Sequence, residues 1–271
     1  MSGRFVGLAQ DRFTVPFAAV LRPLRPYALQ IGFALYIPFI LFVDAHLTSV
    51  FQQYGLGLLT FAVLFASTRW SPPSERRQVW LCVVVATGFE IFGSLVWGLY
   101  RYQFHNVPLY VPPGHGLVYL FGLSATRTPL FVRHGRAVTR IALALAAGWA
   151  ISGLTWLPLL TGRVDVLGAL CLPIFAWFLL RSPRAGVFAA LFFCTSLLEI
   201  FGTGFGNWRW AATAPYLLFP SGNPPSVIAG GYCVIDGTVL FLAGRLGRLP
   251  DLRRFRPRLP TRRPVLVPEE A

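Results

Sequence analysis

Residues 199–223 read EIFGTGFGNWRWAATAPYLLFPSGN, and residues 90–115 read EIFGSLVWGLYRYQFHNVPLYVPPGH. Both stretches open with Glu-Ile-Phe-Gly at the end of a long apolar run. Both continue with a glycine, one residue and an aromatic–Arg–aromatic triplet: Gly98 before Tyr100-Arg101-Tyr102, and Gly206 before Trp208-Arg209-Trp210. Both close with prolines five apart, Pro108/Pro113 and Pro215/Pro220, followed by a polar residue, His115 or Asn223. One tetrapeptide can recur by chance in an apolar chain. The same ordered series of residue types points to internal duplication. The copies differ by one residue in spacing, since Glu90 stands eight before Gly98 and Glu199 seven before Gly206.

The surrounding chain belongs to the membrane class. Hydrophobic residues make up 55% of its 271 residues and charged residues 13%, against about 25% charge in soluble domains. Mean hydropathy is +0.59. The net charge of +14 comes entirely from arginine, with no lysine, and the arginines fall between apolar runs rather than along one face. That distribution argues against a nucleic-acid partner. Cys82, Cys171, Cys194 and Cys233 all lie within apolar runs and form no C-x-x-C pair, so neither a disulfide framework nor a thiolate zinc site is indicated.

A membrane span needs about 20 mostly apolar residues. By that rule the chain is an all-α polytopic helical bundle with about eight spans, at 27–44, 47–67, 78–98, 114–131, 141–160, 165–180, 185–205 and 225–244. Residues 1–26 form a basic N-terminal segment without the features of a cleavable signal peptide. Residues 27–132 and 133–244 are two four-helix repeats, and 245–271 form a basic, proline-rich tail expected to be disordered. With the N-terminus inside, every arginine except Arg101, Arg163 and Arg209 falls on the inner side. This is a strong positive-inside asymmetry and gives an N-in/C-in arrangement in a bacterial inner membrane. Both copies of the motif then face outward. Four spans per unit make the repeats parallel, related by an axis along the membrane normal.

Ionisable side chains inside spans are costly and by default face a cavity or a partner. Here they are Glu90, Glu199 and Asp236, with Asp44 at an outer helix end. Each Glu sits roughly 10–12 Å below the outer end of its helix, from a rise of about 1.5 Å per residue. Gly202 and Gly206 share a face with Glu199, and Gly93 and Trp97 share one with Glu90, so another helix is expected to approach closely there. Two readings remain open. Each Glu is a protonated structural clasp within its own half, or the two face one cavity as general acid and general base. His115 joins the catalytic candidates as a proton-transfer group present in one half only.

The triplets lie at headgroup depth, where an aromatic belt accounts for Tyr100, Tyr102, Trp208 and Trp210. Arg101 and Arg209 suit an anion clamp on a substrate head group or an ion pair with the carboxylates. His105, Asn223 and Asp236 complete the candidate substrate-binding set. His46, His105 and His115 with Asp44 or Glu90 offer zinc-type donors, but no tight ligand spacing occurs, and neither metal nor cofactor is expected. The proline-rich segments VPLYVPPGHG and APYLLFPSGNPP are expected to be non-helical caps dipping toward the carboxyls.

Glu199-x-x-Gly202-x-x-x-Gly206-x-Trp208-x-Trp210 resembles the Glu…Gly…Gly-x-aromatic-x-aromatic signature of the carotenoid-biosynthesis membrane family that includes bisanhydrobacterioruberin hydratase. Glu90, Gly93, Gly98, Tyr100 and Tyr102 fit it with one extra residue. The resemblance covers about a fifth of the chain. It implies a polytopic enzyme that adds water across an isoprenoid double bond, with Glu199 or Glu90 as the protonating acid. The expectation is therefore a membrane-embedded enzyme acting on a lipid or isoprenoid substrate from the outer leaflet. The rival classes are a transporter or flippase and a non-catalytic assembly subunit.

Overall fold

A computed structural model describes residues 22–246. The expected basic N-terminal segment, up to residue 21, and the tail from 247 lie outside the described residues. Among the described residues nine α-helices carry the fold: α1 (Ala28–Ala45), α2 (Val50–Thr68), α3 (Pro73–Glu90), α4 (Val111–Ala125), α5 (Pro129–Leu154), α6 (Leu157–Thr161), α7 (Val166–Arg181), α8 (Ala185–Phe205) and α9 (Ala229–Leu246). A 3-10 turn over Arg22–Tyr27 leads into α1, and α3 runs on as a π-helix over Ile91–Trp97. Two short strands, β1 (Tyr100–Tyr102) and β2 (Trp208–Trp210), complete the set.

Among the described residues six stretches are long and apolar enough to cross a membrane: Pro23–Ala45, Val50–Thr68, Pro73–Trp97, Pro129–Leu154, Ala185–Phe205 and Ala229–Leu246. These mark a multi-pass helical membrane protein. Two of the expected spans are shorter. With 15 residues α4 and with 16 residues α7 rise only about 22–24 Å at about 1.5 Å per residue, short of a hydrocarbon core of about 30 Å. Helix α4 is buried along most of its length, packed by α1, α2, α3 and α8.

The helix limits have local causes. Ser49 caps α2 by accepting from the Gln52 N–H, and Asp165 caps α7 by accepting from the Gly168 N–H. Helix α5 begins at Pro129, some twelve residues before the expected start. Its first turns carry Arg133, Arg136 and Arg140, and an apolarity rule stops short of polar turns that the backbone continues through. Residue His134 interrupts it with non-helical dihedrals. The segment VPPGH, expected as non-helical cap, is instead the first turn of α4. Proline is tolerated there because the first amides of a helix have no intrahelical acceptor. Its counterpart, residues 213–226, is irregular apart from one bridge between Thr213 and Pro220.

The one-residue difference between the motif copies has a structural counterpart. Helix α8 runs as α-helix to Phe205 and ends on Gly206 in the left-handed conformation (φ 85°), closed by Asn207 N–H to Gly202 C=O at 2.9 Å. Helix α3 takes up the additional residue by widening into the π-helix, ends on Gly98 at φ 76°, and closes with Leu99 N–H to Gly93 C=O at 2.9 Å. A π-segment is the usual way for a helix to absorb one inserted residue. Glycine at both ends supplies the positive φ that turns the chain back over its own helix.

The two returning triplets then pair with each other. Strands β1 and β2 are antiparallel in the register Tyr100↔Trp210, Arg101↔Arg209, Tyr102↔Trp208. Alternation across a strand sends the aromatic rings to one face and both arginines to the other. Below this cap α4 packs on α3 and α8, and α9 packs on the same two helices. On the flanks α2 packs against α4, and α7 against α9.

Candidate functional site

Each motif folds its aromatic residues back onto its own glutamate. Glu90 Oε2 accepts from Tyr100 OH and Tyr102 OH, both at 2.7 Å, and Glu90 Oε1 pairs with His115 Nε2 at 2.7 Å. Glu199 Oε2 accepts from the indole N–H groups of Trp208 and Trp210, both at 3.0 Å, and Oε1 accepts from Tyr232 OH at a longer 3.3 Å. Both glutamates are buried. Burial, and then the adjacent Glu90 carboxylate, push the Tyr100 and Tyr102 phenols well above their ordinary range, which keeps both as donors.

The glycine three residues after each glutamate makes this return possible, and it corrects the expectation of a close helix–helix approach. A Cβ at Gly202 would stand 1.9 Å from the Trp208 ring, and one at Gly93 would stand 3.1 Å from the Tyr100 hydroxyl. The space is filled by a ring from the motif's own strand. Gly206, expected to extend the small-residue stripe, is the helix terminator instead.

The two clusters touch. The Tyr100 and Trp210 rings lie 4.6 Å apart between centroids, and Tyr102 and Trp208 5.9 Å apart. On the other side the His115 and Tyr232 rings stack at 5.3 Å with planes 23° apart. A cavity of about 350 Å³ lies between them. Glu90, Glu199, His115, Tyr100, Tyr102, Trp208 and Trp210 all line it, with Tyr36, Thr60, Tyr110 and Tyr232, and most of the remaining wall is apolar side chains from α1, α3, α4, α8 and α9. Among the described residues His115 is the only basic side chain in the lining. Among the lining residues, Phe89, Phe92 and Val234 are also 38%, 52% and 38% exposed on the bundle's outer flank. A single side chain therefore separates the cavity from the outside at each of these positions.

Five of the candidate residues lie off this cavity. Arg101 and Arg209 are exposed on the outer face of the two-stranded cap, and neither forms an ion pair with Glu90 or Glu199. His105 is exposed, in a left-handed turn at φ 57°. Asn223 fastens the cap, its Oδ1 accepting from the Trp210 N–H at 2.8 Å. Asp236 lies one turn along α9 from Tyr232, away from the cap. It is buried with Cys82 Sγ 4.0 Å from Oδ1, and its Oδ2 has no partner. Among the described residues no group of His, Cys, Asp and Glu has the arrangement to hold a metal ion.

Two features were not read from the sequence. Tyr232 takes, for Glu199, the third-donor position that His115 takes for Glu90, although Asn223 is the sequence counterpart of His115. Asp44 is a hub: Oδ1 accepts from Gln53 Nε2 at 2.7 Å, and Oδ2 accepts from Tyr110 OH at 2.8 Å and Asn207 Nδ2 at 2.7 Å. Its backbone C=O also accepts from Gln103 Nε2 at 2.8 Å. These bonds pin the residue before β2 and the loop after β1 to the end of α1. The second loop is pinned in the same manner by Asp165, which accepts from the Gly222 and Ser226 N–H groups at 2.8 and 2.6 Å. Comparison with protein family models, with characterised proteins and with solved structures gives no match.

Proposed function

We propose that the protein is an integral membrane enzyme that performs acid–base chemistry on an uncharged, largely apolar lipid or isoprenoid substrate. The observation that carries this reading is the pair of buried carboxylates, each held by three donors, on the wall of one apolar cavity where His115 is the only basic side chain among the described residues. Two carboxylates without a guanidinium would repel a phosphate or carboxylate head group, so the reacting part of the substrate is neutral. The thin wall at Phe89, Phe92 and Val234 is the lateral entrance for an apolar chain coming from lipid.

In this reading His115 and Glu90 act as one unit. Glu90 engages Nε2, and Nδ1, which has no partner among the described residues, is left for a ligand or water. Glu199 keeps Oε1 only loosely engaged and is the second proton-transfer group. Hydration of a carbon–carbon double bond fits the pair. A proton adds to one carbon from the acid, water oxygen bonds the other, and the proton that water loses goes to the base. The eight principal helices form two parallel four-helix repeats with both termini inside. The antiparallel pairing of equivalent triplets supports this, because a two-fold axis along the membrane normal brings equivalent strands together in that way.

Lipid extracts of a deletion strain, its parent and strains carrying Glu90→Gln or Glu199→Gln test the proposal by mass spectrometry. The expected result is a precursor lighter by one water in the deletion strain and in both variants, at parental levels of membrane-inserted protein. Unchanged lipid composition with altered distribution between leaflets would assign transport instead. Full complementation by both variants would leave the carboxylates as structural clasps.

A further inference from the structure

On the face opposite the cap, a groove of about 800 Å³ opens between the end of α4, the first turns of α5 and the junction of α7 with α8. Arg127, Arg136, Arg140 and Arg184 line it. Among the described residues the one acidic side chain in its lining is Glu75, which pairs with Arg127, and no ion pair engages the other three. The break in helical dihedrals at His134 lies beside Gly135, which is on the groove wall, so the arginines of α5 flank an interrupted stretch of helix. Helix α8 begins there, with Arg184 as its N-cap and its amides at Ala185 and Val187 bonded to the Ser182 and Arg184 carbonyls. Leu180 lines the groove while 71% exposed. The concavity therefore meets the apolar flank of the bundle as well as its polar end.

We propose that this groove binds the phosphate of an anionic membrane lipid, with its acyl chains running past Leu180. A general preference for arginine on one membrane side places the charges on this face. It does not account for their meeting in one concavity with three of them unpaired. Guanidinium groups, planar and able to donate two parallel hydrogen bonds, are the donors that suit phosphate oxygens. The apolar lip selects an amphiphile over a soluble phosphate. The groove is remote from Glu90 and Glu199, so this assignment is independent of the chemistry proposed there.

The full-length protein in detergent, titrated with phosphatidylglycerol or phosphatidylcholine and read by native mass spectrometry, tests it. Retention of the anionic lipid is expected to exceed that of the zwitterionic one by about tenfold, since arginines near the head group favour an anionic lipid. The triple variant R136Q/R140Q/R184Q should abolish the preference, whereas R101Q/R209Q, on the opposite face, should retain it. If the triple variant fails to accumulate, R184Q alone should lower the preference several-fold. Equal retention of both lipids by the unaltered protein, or a preference that survives loss of these arginines, overturns the proposal. Inorganic pyrophosphate that displaces the lipid and by itself raises the melting temperature of delipidated protein would assign the groove to a soluble phosphate ligand and likewise overturn it.

Discussion

Glu90 and Glu199 occupy corresponding places in two copies of one motif, yet different chemistry holds them. The donors around Glu90 are two phenols and an imidazole, groups that can exchange or relay a proton. The donors on Glu199 Oε2 are two indoles, which only donate and do not titrate. The geometry of the return strand is shared and the identity of its aromatic residues is not. A duplicated scaffold thus fixes the position of both carboxylates, while Tyr in one copy and Trp in the other give them different surroundings.

Among single substitutions the largest effect is expected from removing either carboxylate. Glu90→Ala strands the Tyr100 and Tyr102 hydroxyls and His115 Nε2. Glu199→Ala strands two indole N–H groups that cannot turn elsewhere. Buried donors without partners cost about 1–3 kcal/mol each, so each variant should lose about 3–5 kcal/mol after relaxation, seen as a lowered melting temperature in nanodiscs and reduced membrane abundance. The indole side should suffer more, because phenol hydroxyls rotate toward water in the cavity and indoles cannot. Equal losses would break the proposed difference between the two surroundings.

The glycines sharpen the same comparison. Gly202→Ala drives a Cβ into the Trp208 ring, 1.9 Å away, whereas Gly93→Ala meets the Tyr100 hydroxyl and ring edge at 3.1–3.3 Å. Overpacking of the first kind costs about 1–3 kcal/mol, and it also moves Trp208 off Glu199. The second should cost less than about 1 kcal/mol, because a few tenths of an ångström of ring movement relieves it. Thermal melting of the two variants side by side tests the order, and a reversed order would mean that the return strand is not packed as described.

Much of this arrangement was legible in the sequence, and the limits of legibility are physical. Apolar run length located the long helices, because a lipid-facing helix is apolar over its whole span. The role of the glycine before each triplet was only half legible: it ends its helix at positive φ, which glycine adopts freely, yet in the sequence Gly206 reads as part of a small-residue stripe. The mutual pairing of the triplets was not legible. Three residues carry too little alternation to announce a strand, and the proximity of Tyr100 to Trp210 depends on how α3 and α8 are brought together. Tyr232 was hidden because nothing in GGY within an apolar helix separates it from a belt tyrosine. The sequence counterpart of His115 fell on Asn223 because VPPGH begins a helix and its partner segment does not. Asp44, Gln53, Tyr110 and Asn207 meet from four separate segments, and no local pattern records such a meeting.

A smaller effect on stability, with a sharper spectroscopic reading, is expected from Glu90→Gln. An ionised Glu90 requires the proton of a neutral His115 to lie on Nε2, leaving Nδ1 as a base. The Gln amide can still accept from both phenols through its oxygen, but it then turns its NH2 toward Nε2, which must become an acceptor and shift the ring proton to Nδ1. The variant should melt within about 1 kcal/mol of the unaltered protein, with the tautomer inverted in the nitrogen NMR spectrum of labelled histidine. Glu199→Gln should leave that spectrum unchanged. A His115 tautomer indifferent to Glu90→Gln would dissolve the paired unit.

The smallest effect is expected where the two copies differ in length. The π-helix at Ile91–Trp97 holds one residue more than the corresponding turn of α8. Leu95 lies within it and is 54% exposed. Deleting Leu95 gives the first copy the seven-residue spacing of the second and lets α3 continue as ordinary α-helix to Gly98. The start of β1 then keeps its place above Glu90, and the cost should be about 1 kcal/mol or less, since π-geometry is itself less favourable than α. The same-sized deletion in the other copy has no such slack. Removing Ile200, also exposed at 52%, turns Glu199 by about 100° relative to Trp208 and Trp210 and separates the carboxylate from both indoles. The deletion of Leu95 should therefore yield a folded protein of near-normal melting temperature, and that of Ile200 should not accumulate. If both deletions fail, the π-helix is needed for more than length. The lining role of Phe92 and Trp97 would then make its widened turn part of the cavity's shape.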